Sequence, residues 1–274
     1  MKSIFIIFLF LLSANIKAQN CLLYKDINCK NACEYFSEAD NYSQGSKVSQ
    51  MIFDSCISIC AGFPEAYYEK SVPYLKRGDF IAWKALMDKA VALNPSLYLG
   101  LRAWCMFKFL RDYSNTLDDL DMLLKYMPHG QLGYSGDGDY DLYIIRALCK
   151  RELNDFNGAL ADFDKCIKGH ESKKNIGLYD YLHRGVTRMK LNDYQGALED
   201  FKKQVKVYEK LADTQYYLGL TYMKLGHIAA AKESFESAYA LFTKTGYPRQ
   251  YDYCEPLDIV YLSDIEENLE KIRK

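Results

Sequence analysis

The feature that most constrains this chain is internal self-similarity. Residues 154–163 read Asn-Asp-Phe-Asn-Gly-Ala-Leu-Ala-Asp-Phe, and residues 192–201 read Asn-Asp-Tyr-Gln-Gly-Ala-Leu-Glu-Asp-Phe. Seven of the ten positions are identical at a separation of 38 residues. A period of that length marks one supersecondary unit that stacks on its neighbours, because a single copy cannot bury its own apolar face. Matching landmarks precede both copies: Tyr143, Arg146 and Ala147 before the first, and Tyr181, Arg184 and Gly185 before the second. A third copy carries Leu218-Gly219, Tyr222, Leu225-Gly226-His227-Ile228, Ala231, Phe235 and Ala238. Two others drift further. One has Tyr67, Tyr74, the turn Arg77-Gly78-Asp79-Phe80, Trp83, Met87, Ala90 and Pro95. The next has Trp104, Phe107, the turn Arg111-Asp112-Tyr113, Leu120, Leu123 and Pro128. Only six prolines interrupt the chain, so long stretches are free to be helical. Small residues at 147, 185 and 219, with Phe163, Phe201 and Phe235 following, predict paired short helices whose axes approach closely while the large rings fill the gaps.

The pattern of an aromatic, Leu-Gly-x2-Tyr, Ala-x3-Phe and a closing proline resembles the tetratricopeptide repeat. The resemblance implies an all-α chain: an α-solenoid of about five to six helix–turn–helix repeats over residues 64–245. The final stretch 246–274 is expected to hold a loop and a capping helix from Pro256 onward, with Leu257, Ile259, Val260, Leu262, Ile265, Leu269 and Ile272 at near-helical spacing. The large-residue landmarks Met87, Leu120, Phe163, Phe201 and Phe235 are spaced by 33, 43, 38 and 34. The family period is about 34, so the excess predicts insertions around 131–139 and 169–176. Trp83 and Thr116 stand where alanine is usual, and Lys70-Ser71 replaces Leu-Gly. Residues 19–63 read as a Cys-rich helical hairpin and divergent first repeat, with Val48–Cys60 as its second helix.

The N-terminus has the three-part layout of a secretory signal over residues 1–18. Lys2 supplies the charge, Ile4–Leu12 the apolar run, and Ala18 the last residue removed. Nine apolar residues are too few to span a bilayer as a helix, so no transmembrane segment is expected after signal cleavage. The expected destination is the periplasm, the cell envelope or the medium. A lipoprotein variant would be anchored at Cys21, although Asn20 and Ala18 supply only half of that motif. Without the signal the formal net charge falls from -1 to about -3, through loss of Lys2 and Lys17. That balance argues against nucleic acid as a partner.

Export permits disulfides. Cys29 and Cys33 are four apart, as are Cys56 and Cys60, and both nested pairs centre beside Gly45. A hairpin turning there would pair Cys33 with Cys56 and Cys29 with Cys60. Zinc is the rival reading of such a cluster but favours knuckles on loops; buried free thiols are the third. Cys105, Cys149, Cys166 and Cys254 fit unpaired packing, with Cys149–Cys166 open as a pairing.

No nucleophile elbow, zinc-protease helix or phosphate loop is present, and His129, His170, His183 and His227 are scattered. The loop Gly136–Asp141 alternates aspartates, but Leu142 and Leu148 stand where a calcium loop needs glycine and glutamate. No catalytic residue, cofactor or metal is therefore expected. The resemblance implies a non-catalytic scaffold that holds a protein or peptide partner on the first helices of its repeats. Mapped onto this sequence, that groove would present Tyr98, Arg102, Phe109, Tyr179, His183, Lys190, Tyr217 and Lys224 to an extended segment of apolar and acidic character. The alternative is a structural subunit of an envelope or secretion assembly.

Overall fold

The computed structural model describes residues 20–244 and 254–273. The segment expected to be a signal, residues 1–18, lies outside them. Thirteen α-helices and no β-strand occur among the described residues, and the chain separates into two compact units at the 94/95 boundary. The first unit holds α1 (Ile27–Phe36), α2 (Lys47–Ile59), α3 (Pro64–Lys76) and α4 (Phe80–Leu93). The second holds four helical hairpins: α5 (Pro95–Cys105) with α6 (Tyr113–Leu123), α7 (Leu142–Glu152) with α8 (Phe156–Lys173), α9 (Asp180–Lys190) with α10 (Tyr194–Val207), and α11 (Ala212–Lys224) with α12 (Ile228–Lys244). It closes with α13 (Leu262–Arg273). No described helix is long and apolar enough to cross a membrane.

One turn chemistry recurs. Asp79, Asp112, Asp155 and Asp193 each accept a hydrogen bond from the backbone N–H three residues on, which caps the second helix of the hairpin. Asn154 (φ 65°) and Asn192 (φ 61°) precede two of these caps in the left-handed region that asparagine tolerates. The hairpin α5/α6 reaches its cap differently. Its first helix unwinds into a wider π turn at Met106–Leu110 and stops at Arg111, also left-handed.

Close approach within the hairpins is visible at two glycines. A Cβ on Gly185 would lie 2.5 Å from the Phe201 ring, and one on Gly219 would lie 2.6 Å from Phe235. Phe163, Phe201 and Phe235 are fully buried. A second device is ionic. Arg102 grips Asp119 at 2.8 and 2.6 Å, Arg146 grips Asp162 at 2.6 Å, and Arg184 grips Asp200 at 3.0 and 2.6 Å. Each pair joins the first helix of a hairpin to the second. Arg146 also reaches Asp121 on α6, and Arg184 reaches Asp164 on α8, so the same guanidinium ties its hairpin to the preceding one. Planar, forked donors suit this double duty.

The first unit uses sulfur. Cys29 is bonded to Cys60 and Cys21 to Cys33, with Cα atoms 4.9 and 5.6 Å apart. The expected Cys33–Cys56 bond is absent. A short 3-10 turn at Cys21–Leu23 folds back and presents Cys21 to Cys33. Cys56 stays a buried thiol donating to the Ala32 carbonyl at 3.4 Å. The disulfide engages the Cys21 sulfur that a lipid anchor would need. Cys149 and Cys166 are not paired with each other.

The capping helix starts later than its apolar spacing predicts. Residues 256–261 are not helical; Asp258 takes φ 65°, and Asp264 accepts from the Tyr261 N–H at 2.8 Å where the helix begins. From there Ile265 and Leu269, with Val260 just ahead of them, pack on Ala231, Phe235 and Ala238.

Candidate functional site

The chain's own residues 254–261 lie across the first helices of the second unit. At one end Arg111 donates to the Glu255 carbonyl. Beside it, Pro256 and Leu257 meet Trp104, Phe107, Tyr140 and Tyr179 around a cavity of only about 40 Å³. In the middle Asp258 accepts from Arg151 Nη1 and His183 Nδ1, both at 2.7 Å from the same oxygen. Leu257 and Ile259 border Val186, Met189 and Tyr217. At the far end Asp213 Oδ1 accepts from the Val260 N–H at 2.7 Å. The segment thus touches α5, α7, α9 and α11 in turn.

Asp258 is the anchor. Its side chain is 7% exposed, against 1% for Arg151 and 0% for His183. Burial alone would raise its pKa, but the Arg151 guanidinium and the His183 bond outweigh it and hold the carboxyl down to about 2. Burial likewise opposes the charge on Arg151, and Asp258 more than restores it. The Tyr217 hydroxyl is pushed up by burial and then by the Asp258 charge. His183 spends Nδ1 on Asp258, while its Nε2 is buried with no hydrogen-bond partner among the described residues. The rings of Tyr140 and Tyr179 stand 5.8 and 5.9 Å from the imidazole.

The residues expected to line a groove have different fates. Tyr179, His183, Lys190 and Tyr217 border the resident segment. Tyr98 is buried, 2% exposed. Arg102 is committed to Asp119. Phe109 sits in the π turn, with its ring 6.0 Å from Trp104. Lys224 is exposed in the last turn of α11. Sequence reasoning missed Arg111, Arg151, Asp213 and Asp258. Asp258 and Arg151 are 107 positions apart, so no local pattern links them. The aspartate-rich loop is also accounted for: Asp137 binds Lys108 at 2.8 Å, and Asp141 caps α7 through the Tyr143 N–H at 2.8 Å.

Residues 212–244, covering α11 and α12, match the family model described as a tetratricopeptide repeat. Among curated proteins, none matches the chain in sequence. Among solved structures, the chain is similar to PilW, a widely conserved type IV pilus biogenesis factor. The TM-score is 0.57 at 14% identity, covering 90% of this chain and 97% of that one. A tetratricopeptide repeat protein from Parabacteroides merdae ATCC 43184 gives 0.58 at 14%, covering 90% and 99%. YrrB, a repeat protein with an unusual peptide-binding site, gives 0.54 at 17%, covering 71% and 93%. At these identities the likeness is one of fold.

Proposed function

We propose that this tetratricopeptide-repeat protein is a non-catalytic, exported scaffold whose second unit holds an extended acidic–apolar segment of a partner. The observation that carries this reading is the resident stretch Glu255–Tyr261, a non-helical run with a turn at Leu257–Asp258 and a buried carboxylate gripped by Arg151 and His183. It occupies the face where repeat proteins of this fold are expected to take a ligand, so it acts as a stand-in that a partner must displace or extend. Two disulfides fit an exported chain, and YrrB, of similar fold, is named for a peptide-binding site. A carboxyl held at about 2 contributes its anchoring energy fully above the ordinary aspartate range. That contribution is lost as pH falls from the ordinary aspartate range through about 2.

The test uses a labelled peptide of residues 255–261 added to the full chain. Asp258→Asn loosens the resident copy while leaving Arg151 and His183 in place. The peptide should bind this variant at least ten-fold more tightly than wild type, by fluorescence anisotropy. Adding Arg151→Met should abolish the gain. Equal binding without Arg151, or none to Asp258→Asn, overturns the reading. The same filled groove favours a second reading, a structural subunit whose segment is a permanent strut. That alternative expects no exchange with the peptide and stable co-purification with envelope components.

A further inference from the structure

A separate cluster lies in the α7/α8 hairpin, away from the contacts of the resident segment. Asp141 stands just before α7, and Cys166 and His170 stand one turn apart late on α8. One ligand atom from each lies within 4.8 Å of the other two. His170 Nε2 is 3.3 Å from Asp141 Oδ2 and 3.6 Å from Cys166 Sγ. Tetrahedral zinc, with bonds of about 2.0–2.1 Å to nitrogen and oxygen and about 2.3 Å to sulfur, sets N···O at about 3.3 Å and N···S at about 3.6 Å. The nitrogen–oxygen spacing is that of two ligands around one ion, and the sulfur is close enough to reach the same ion.

The surroundings orient each ligand. Asp180 Oδ2 is 2.8 Å from His170 Nδ1, and Asp180 is itself held by the Gly177 N–H at 2.9 Å. A carboxylate on Nδ1 assigns the ring proton there and leaves the Nε2 lone pair on the side of Asp141, while Cys166 Sγ, 3.6 Å from Nε2 and 3.8 Å from Nδ1, lies over the ring face and would turn about its Cα–Cβ bond to join an ion there. The other oxygen of Asp141 is committed to the α7 cap, so Oδ2 points in a fixed direction. The side chains of His170 and Asp180 are 9% and 5% exposed. On the open side is a cleft of about 290 Å³, bordered by His129, Tyr134 and Lys165 as well as the three ligand residues.

We propose that Asp141, Cys166 and His170 form a zinc site, with Asp180 as the residue that positions the imidazole. Three protein ligands of mixed N, O and S character suit zinc, and the fourth position faces the cleft, open to water or to a partner's side chain. Binding requires the Cys166 thiol to lose its proton. With neutral His170, each ion taken up as the aquo dication releases one proton to solvent and leaves a zinc–thiolate bond. The spacing Asp141-x24-Cys166-x3-His170 fits no linear metal motif, which is why the sequence pointed to no metal.

The experiment uses the full oxidised chain, stripped with a chelator and titrated with zinc alone, then with cobalt(II) alone as a spectroscopic probe. Expected are one zinc per chain, intense tetrahedral cobalt bands and a thiolate-to-cobalt charge-transfer band in the near ultraviolet. Cys166→Ser should remove the charge-transfer band. Asp141→Asn preserves a capping side chain and should weaken zinc at least ten-fold without loss of helicity. Asp180→Asn should weaken it 10- to 100-fold while the cobalt bands keep their tetrahedral form. Absence of the cobalt bands in wild type overturns the proposal whether or not the variants fold. So does zinc binding that is unchanged in Cys166→Ser and His170→Gln.

Discussion

The hairpin α1/α2 and the hairpin α9/α10 hold two antiparallel helices together by different means. In α9/α10 a glycine admits a phenylalanine, and a buried Arg184–Asp200 fork crosses the pair. In α1/α2 neither device is present. Its core is Ala32, Cys33, Ile52, Phe53 and Cys56, extended by Phe36 and Phe63, and its two disulfides tie α1 to Cys21 and to Cys60. Two routes thus reach one local architecture. A repeat with neighbours in register is held by packing and shared charge, whereas the divergent hairpin is held by covalent bonds that restrict its unfolded state.

The largest expected effect comes from breaking the ionic clamp. Arg184→Met strands the Asp200 carboxylate, which is 1% exposed. Removing one partner of a buried pair costs about 3–5 kcal/mol. Arg188 Nη1, 3.4 Å from Asp200, should keep the loss toward the lower end. Urea unfolding of the second unit followed by hydrogen exchange reads it, and a loss under about 1 kcal/mol would erase the contrast. Next comes sulfur. Replacing Cys29 and Cys60 with serine should cost about 2–4 kcal/mol. That loss should be confined to α1 and α2 in the exchange pattern; equal deprotection of α9 and α10 would contradict it. The smallest effect is steric. Gly185→Ala places a methyl against Phe201 and should cost about 1–3 kcal/mol. Ala147 already occupies the equivalent place in α7, so the lower half of that range is expected. A neutral result by thermal melting would mean the ring shifts freely.

The repeats were legible because their signals are local. Asn-Asp before α8 and α10, Gly-His before α12, a small residue on each first helix and a phenylalanine on each second recur at spacings of 38 and 34 residues. They place α7 through α12 without reference to anything distant. The expected insertions are also visible in the structure, as the loop between α6 and α7 and as the extra length of α8. The Arg146–Asp162 and Arg184–Asp200 forks repeat 38 residues apart, yet from sequence Arg102 reads as a groove residue, because its mate lies 17 residues on, beyond the ten-residue repeat.

Tertiary structure alone decided the rest. Symmetry about Gly45 treats the two helices as a closed system and nominates Cys56 for Cys33, but the returning turn at Cys21 competes for the same sulfur and takes it. Apolar spacing from Leu257 onward suits a helix. Yet Asp258 sits outside any helix at φ 65°, where its carboxylate accepts from a buried guanidinium and an imidazole. Asp141, Cys166 and His170 converge only after α7 has folded against α8. Period and propensity act over a few residues and can be read along the chain. Which carboxylate meets which guanidinium, or which sulfur meets which, depends on distances that exist only after the helices have packed.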